Sequence, residues 1–96
     1  IFFYSDGALN PIDDAAEVDG LVSGVCIKDF EKPKNVNVTP GDGLVDFPKV
    51  LARLKQGGFT SGRLVVECIK QVDDMQERLA EAKRARAFLE GVVAKL

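Results

Sequence analysis

Histidine is absent from this chain of 96 residues, and cysteine is scarce, with two residues in all. Without histidine, no imidazole of this chain can ligate a metal ion or act as a general base. Two cysteines, Cys26 and Cys68, are too few for a disulfide scaffold, so we expect both thiols to be reduced and the protein to be cytoplasmic. We expect Cys68 to be a small buried side chain, which is the usual role of a free cysteine.

Long apolar runs and basic stripes are also missing. No apolar run approaches the roughly 18 residues that a transmembrane helix needs, so we expect no membrane span. The net charge is −2 and no basic stripe with interleaved aromatics occurs, which disfavours nucleic acid as a partner. The chain opens with Ile-Phe-Phe-Tyr, without Met and without a basic n-region, so we expect no signal peptide and predict further sequence upstream.

Alternating apolar and polar segments predict three parallel strands, each followed by a helix. The strands are expected at residues 1–4, 21–27 and 64–66, with Glu67 ending the last one. The helices are expected after Asn10, after the N-cap Asp46, and from about Val72 to Leu96. Such alternation favours crossover connections in an α/β fold. Because three parallel strands alone leave two unpaired edges, the pattern suggests a piece of a larger closed sheet.

Four motifs carry a resemblance to a known family. They are Cys-Ile-Lys-Asp at 26–29, Gly-Asp-Gly-Leu-Val-Asp-Phe at 41–47, Val-Val-Glu at 65–67 after Gly58-Phe59 and Gly62, and Ala-Arg-Ala-Phe-Leu at 85–89. In this order and spacing they resemble the C-terminal portion of the sugar phosphate isomerase/epimerase family, the xylose isomerase-like TIM barrels. The resemblance implies that residues 1–96 are one partial domain, holding strands 6–8 of a (β/α)8 TIM barrel and its long terminal helix. A whole barrel needs about 250 residues, so about five strand–helix units would be absent from this chain.

The resemblance implies an isomerase or epimerase that acts on a sugar or sugar phosphate. Such a reaction removes a proton next to a carbonyl, which a carboxylate can accept while a divalent metal stabilises the enediolate. Glu67 would be the catalytic base and also a metal ligand, at the strand end where barrel active sites gather. The other catalytic glutamate would lie upstream, so the 96 residues alone are expected to be inactive.

The resemblance also implies a divalent metal ion (Mn, Co, Mg or Zn), with Asp6 and Cys26 as further ligands. Asp6 could equally be a turn residue. Cys26 stands where metal-dependent members of the family usually have histidine, and a thiolate suits zinc better than magnesium or manganese. An altered metal preference, a weakened site and no metal at all are therefore all open, as is a core cysteine. Strand alternation places Cys26 and Lys28 on one face, as it does Val65 and Glu67.

Substrate contacts are expected from Lys28 and from the loop that contains Gly41 and Gly43. Lys28 could donate to a hydroxyl or phosphate, or could simply pair with Asp29 or Glu67. The glycines could bring backbone N–H groups close to a sugar or phosphate, or could form a plain tight turn. Asp29 is expected to cap this loop.

Two competing hypotheses accompany the isomerase prediction. One is a non-catalytic barrel relative or interaction module that has lost its metal site, which the absent histidine motivates. The other is an assembly fragment that forms a homo-oligomer through open strand edges and the long terminal helix, whose apolar stripe would then be a partner surface.

Overall fold

Two short parallel strands and three helices make up the part of the chain that the computed structural model describes, residues 4–96. In chain order they are α1 (Pro11–Ala16), β1 (Gly24–Ile27), α2 (Phe47–Gln56), β2 (Arg63–Val66) and α3 (Met75–Ala94). The strands pair in parallel, with Gly24 opposite Arg63 and Ile27 opposite Val66. Parallel strands need a crossover connection, and α2 lies within it.

The barrel architecture predicted from the sequence is wrong for residues 4–96. This range holds two parallel strands rather than three, they form an open two-stranded sheet, and no part of a TIM barrel is seen. The strand predicted at 1–4 falls largely outside the described residues, and Tyr4 itself lies in a turn with 80% of its surface exposed. Apolar composition marks strand-forming residues, but whether strands pair and close into a barrel depends on segments far apart in the chain, which local patterns do not record.

Each helix begins at a polar side chain that caps it. The Asn10 side chain accepts a hydrogen bond from the Ile12 N–H at 2.9 Å, and Pro11 takes the first helical position, as predicted. Asp46 caps α2 by accepting from the Lys49 N–H at 3.2 Å, which confirms the predicted cap. Helix α3 begins after Asp74, later than the predicted start near Val72, because the Asp74 carboxylate supplies its N-cap.

The hydrophobic core lies between one face of the sheet and the three helices. Strand alternation turns Val25, Ile27, Leu64 and Val66 to this face, while the opposite face carries more exposed side chains. The buried members of the core are Ala15, Ile27, Phe47, Leu51, Leu54, Leu89 and Val92. The core therefore covers the sheet on one side only, within the described range.

Helix α3 is the long terminal helix that the sequence predicts. It buries Ala85, Leu89 and Val92 and exposes most of its other side chains, many of them charged. Between Tyr4 and Leu96 the structure has no helix that combines the length and the apolar character needed to cross a membrane.

Candidate functional site

The carboxyl ends of the two strands place Lys28 and Glu67 side by side. Each residue directly follows its strand, and the Glu67 N–H donates to the Ile27 carbonyl at 2.9 Å, which extends the sheet by one step. Because the register pairs Ile27 with Val66, the next two residues share the open face of the sheet. The Lys28 Nζ lies 3.0 Å from the Glu67 Oε1. The structure thus brings together the predicted base and a predicted substrate-contacting cation.

Glu67 stabilises the charged form of Lys28. The hydrogen bond that Lys28 donates to the Glu67 carboxylate raises the pKa of the lysine above its ordinary value of 10.5. The two side chains remain 38% and 48% exposed, so solvent and small molecules can reach both. The pair can therefore offer a proton acceptor and a cationic hydrogen-bond donor to one ligand.

A cavity of about 400 Å³ opens beside β1 and reaches this pair. Its apolar wall includes Val45, Phe47 and Leu51, whereas Lys28 and Glu67 contribute charge. A cavity of about 300–1,000 Å³ with an apolar wall and a few polar groups is typical of small-molecule sites. The volume suits a ligand of the size of a sugar phosphate.

Asp29 organises the loop that follows β1. Its carboxylate is completely buried and accepts four backbone N–H groups, from Phe30 at 2.8 Å, Gly41 and Gly43 at 2.9 Å each, and Val45 at 3.1 Å. These bonds satisfy both carboxylate oxygens, as burial of a charge requires. The prediction that Asp29 caps the loop is confirmed, and the loop brings Val45 into the cavity wall.

The same bonds determine what Gly41 and Gly43 can do. Their N–H groups point at Asp29, so neither is available to a sugar or phosphate in this conformation. Gly43 has no room for a side chain, because a Cβ would overlap the Asp29 carboxylate and lie 2.5 Å from the Phe30 carbonyl oxygen. Gly41 has a φ of +103°, which favours glycine. These observations agree with the tight-turn alternative for this loop.

A cluster of polar side chains that the sequence did not predict connects the loop after β1 to α3. The buried Thr39 donates its hydroxyl to Glu81 and accepts the Lys70 N–H at 3.0 Å. Arg84 donates to both carboxylate oxygens of Asp42 and to Glu81. These contacts lower the pKa of Asp42, chiefly through Arg84, and that of Glu81, through Thr39 and Arg84. No sequence signal links partners 42 positions apart, although the spacing of Glu81 and Arg84 marks a helical pair.

The three predicted metal ligands are not gathered into one cluster. Asp6 lies in a turn with a φ of +51°, and its Oδ1 accepts the Lys34 N–H at 2.9 Å. Cys26 is exposed on the face that carries Lys28, as predicted from strand alternation, and is paired with Val65. No three His, Cys, Asp or Glu side chains between residues 4 and 96 lie close enough together to hold a metal ion. Cys68, predicted to be buried, is half-buried.

Comparison with known proteins identifies no relative of this chain. No protein-family model, no curated protein and no solved structure matches the chain.

Proposed function

We propose that this protein isomerises or epimerises a sugar or sugar phosphate, with Glu67 as the base that removes a proton next to a carbonyl. The observation that carries the proposal is the pairing of Lys28 and Glu67, 3.0 Å apart, at the mouth of the cavity. The motif resemblance of residues 26–29, 41–47 and 65–67 supports the same chemistry.

The pair supplies two complementary groups for an aldose–ketose exchange. The Glu67 carboxylate takes the proton from the carbon next to the carbonyl, and the C–H electron pair forms the new C=C bond as charge develops on the carbonyl oxygen. The Lys28 ammonium donates a hydrogen bond to that oxygen. The neighbouring hydroxyl proton passes to the first oxygen, and Glu67 returns its proton to the former carbonyl carbon. Before the first proton transfer, a substrate oxygen replaces Glu67 as the hydrogen-bond partner of Lys28.

The divalent metal ion stays a prediction that rests on the resemblance. Two of the three predicted ligands, Cys26 and Glu67, line the cavity, and no step above depends on the ion. The Asp6 carboxylate accepts the Lys34 N–H, and no group of three potential ligands within residues 4–96 joins Asp6 to Glu67.

The test measures exchange of substrate hydrogen for deuterium. The native-length protein is incubated in D2O with a panel of aldoses, ketoses and their phosphates, and ¹H NMR follows the hydrogen next to the carbonyl. Glu67→Gln should slow exchange by at least about 100-fold, because the amide cannot accept the proton. Glu77→Gln, an exposed glutamate of α3, is the matched control. An unchanged rate in Glu67→Gln, or no exchange with any substrate, would refute the proposal.

A second candidate function is binding of a sugar or sugar phosphate without turnover. It is favoured by the exposure of Lys28 and Glu67 beside the cavity, since an ammonium and a carboxylate can hydrogen-bond to sugar hydroxyls without removing a proton from carbon. Calorimetry with sugar phosphates and with Mn²⁺, Co²⁺, Zn²⁺ and Mg²⁺ separates the candidates. Sugar binding without metal binding and without hydrogen exchange would support binding without turnover. Tight metal binding that Glu67→Ala abolishes would oppose that candidate.

A further inference from the structure

A second pocket opens at the carboxyl end of β2, next to the cavity that the Lys28–Glu67 pair reaches. Its volume is about 280 Å³, and residues 67–72, which follow the strand, form most of its wall together with Asn37 and Arg78. Glu67 lines both the pocket and the cavity, so the two meet at this carboxylate. Ligands of open parallel sheets bind outside the carboxyl ends of the strands. A ligand bound at Glu67 can therefore extend from the cavity into the pocket.

Two cations line this pocket, Lys70 and Arg78, and neither takes part in the ion pairs of the described residues. The Arg78 Nε donates to the Val72 carbonyl, 2.6 Å away, which holds the guanidinium at the pocket wall. The Nη groups of Arg78 have no hydrogen-bond partner within the described range. Lys70 also acts electrostatically on Asp42 and Glu81, but an arginine already donates hydrogen bonds to both of these carboxylates. The pocket therefore offers cationic donors to an anion.

The charges of the cavity and the pocket differ in sign. The cavity is lined by the carboxylates of Asp14, Asp29 and Glu67, and its one cation among the described residues is Lys28. The pocket has two cations, and Glu67 is its one carboxylate among the same residues. A phosphate dianion is therefore repelled by the lining of the cavity and attracted by that of the pocket. Arginine binds phosphate through two parallel hydrogen bonds, and lysine binds it as a point charge.

We propose that the substrate is a sugar phosphate rather than a free sugar, and that this pocket binds its phosphate group through Arg78 and Lys70. This inference rests on the proposed function and adds the substrate class and the direction in which the substrate lies. The phosphate occupies the pocket, the reacting carbon lies at Glu67, and the rest of the sugar enters the cavity. Binding of the phosphate, which does not react, helps to hold the reacting carbon beside the base.

The first test uses inorganic phosphate, because its binding needs no turnover. Calorimetry of the native-length protein should detect phosphate binding, which Arg78→Gln weakens at least about tenfold and Lys70→Gln weakens less, since arginine donates two hydrogen bonds. Arg86→Gln is the matched control, because Arg86 is an exposed arginine of the same helix that does not line the pocket. Absence of phosphate binding by the wild type, or equal binding by wild type and Arg78→Gln, would overturn the proposal.

The second test separates this pocket from the chemistry of Glu67. In the hydrogen-exchange assay, Arg78→Gln should raise the KM for sugar phosphates at least about tenfold and leave the KM for free sugars unchanged. Circular dichroism checks that the variants keep their helices. Phosphate binding that depends on Arg78, without hydrogen exchange in any substrate, would support the pocket and refute the proposed function. Exchange that depends on Glu67 but is equally fast with free sugars and sugar phosphates would support the proposed function and overturn the phosphate pocket.

Discussion

The Glu67 carboxylate pairs with the Lys28 ammonium and stabilises its charge, since the lysine reaches it across the ends of two parallel strands. Their mutual hydrogen bond is exposed, so its net contribution to the free energy of unfolding is small. Its importance is chemical, because it keeps a cation next to a carboxylate at the mouth of the cavity. That arrangement can be tested without knowing the substrate.

The titration of Lys28 should report on Glu67. The pKa of Lys28 lies above 10.5 because Glu67 accepts its hydrogen bond, so Glu67→Gln should lower it. Since folding raises this pKa, the contribution of the pair to stability is fully present below about pH 10.5 and is lost as the pH rises through the folded-state value. NMR of the lysine side-chain carbons measures the titration. Glu77→Gln is the control, and an unchanged Lys28 pKa in Glu67→Gln would contradict the pairing.

Single residues show how far the sequence alone could lead. The loop cap at Asp29 follows from turn chemistry, which is a local rule, whereas pairing of Lys28 with Glu67 was only one of the alternatives that the sequence left open. The role of Thr39 was not predicted, since its partner Glu81 lies on α3, 42 positions away. Whether Gly41 offers its N–H group to a ligand or to Asp29 also depends on three-dimensional contacts.

At the scale of elements, the conformation of the loop after β1 depends on the Asp29 carboxylate, which accepts its backbone N–H groups. Asp29→Asn keeps the shape of the side chain but places an NH2 group against backbone N–H donors of the loop, so these partly buried donors lose their acceptor. This change should reduce the free energy of unfolding by about 2–3 kcal/mol. Urea unfolding measures the loss, and hydrogen exchange should show earlier opening at Gly41 and Gly43.

The matched control for this loop is Asp42→Asn. Asp42 lies in the same loop, but its side chain is 46% exposed and pairs with Arg84 on the surface. Its replacement should cost less than about 1 kcal/mol. Equal losses in the two variants would show that the buried carboxylate does not organise the loop.

At the scale of the whole molecule, local rules predicted the helices better than the sheet. The helix starts at Asn10 and Asp46 followed from capping, which is decided within a few residues. The barrel was wrong for residues 4–96, because strand pairing is decided between segments far apart in sequence. The third predicted strand, at 1–4, lies largely outside the described residues.

The open face of the sheet leads to a final prediction about the molecule as a whole. Leu51 is 3% exposed in the core, whereas Val65 is 50% exposed on the other face of the sheet. Leu51→Ala should reduce the free energy of unfolding by about 2–5 kcal/mol, since it leaves a cavity. Val65→Ala should cost less than about 1 kcal/mol, since half of its surface already meets water. Urea unfolding at one fixed protein concentration keeps any contribution from dimerisation constant. Comparable losses in the two variants would contradict a core on one side of the sheet and would mean that another surface covers Val65 in solution.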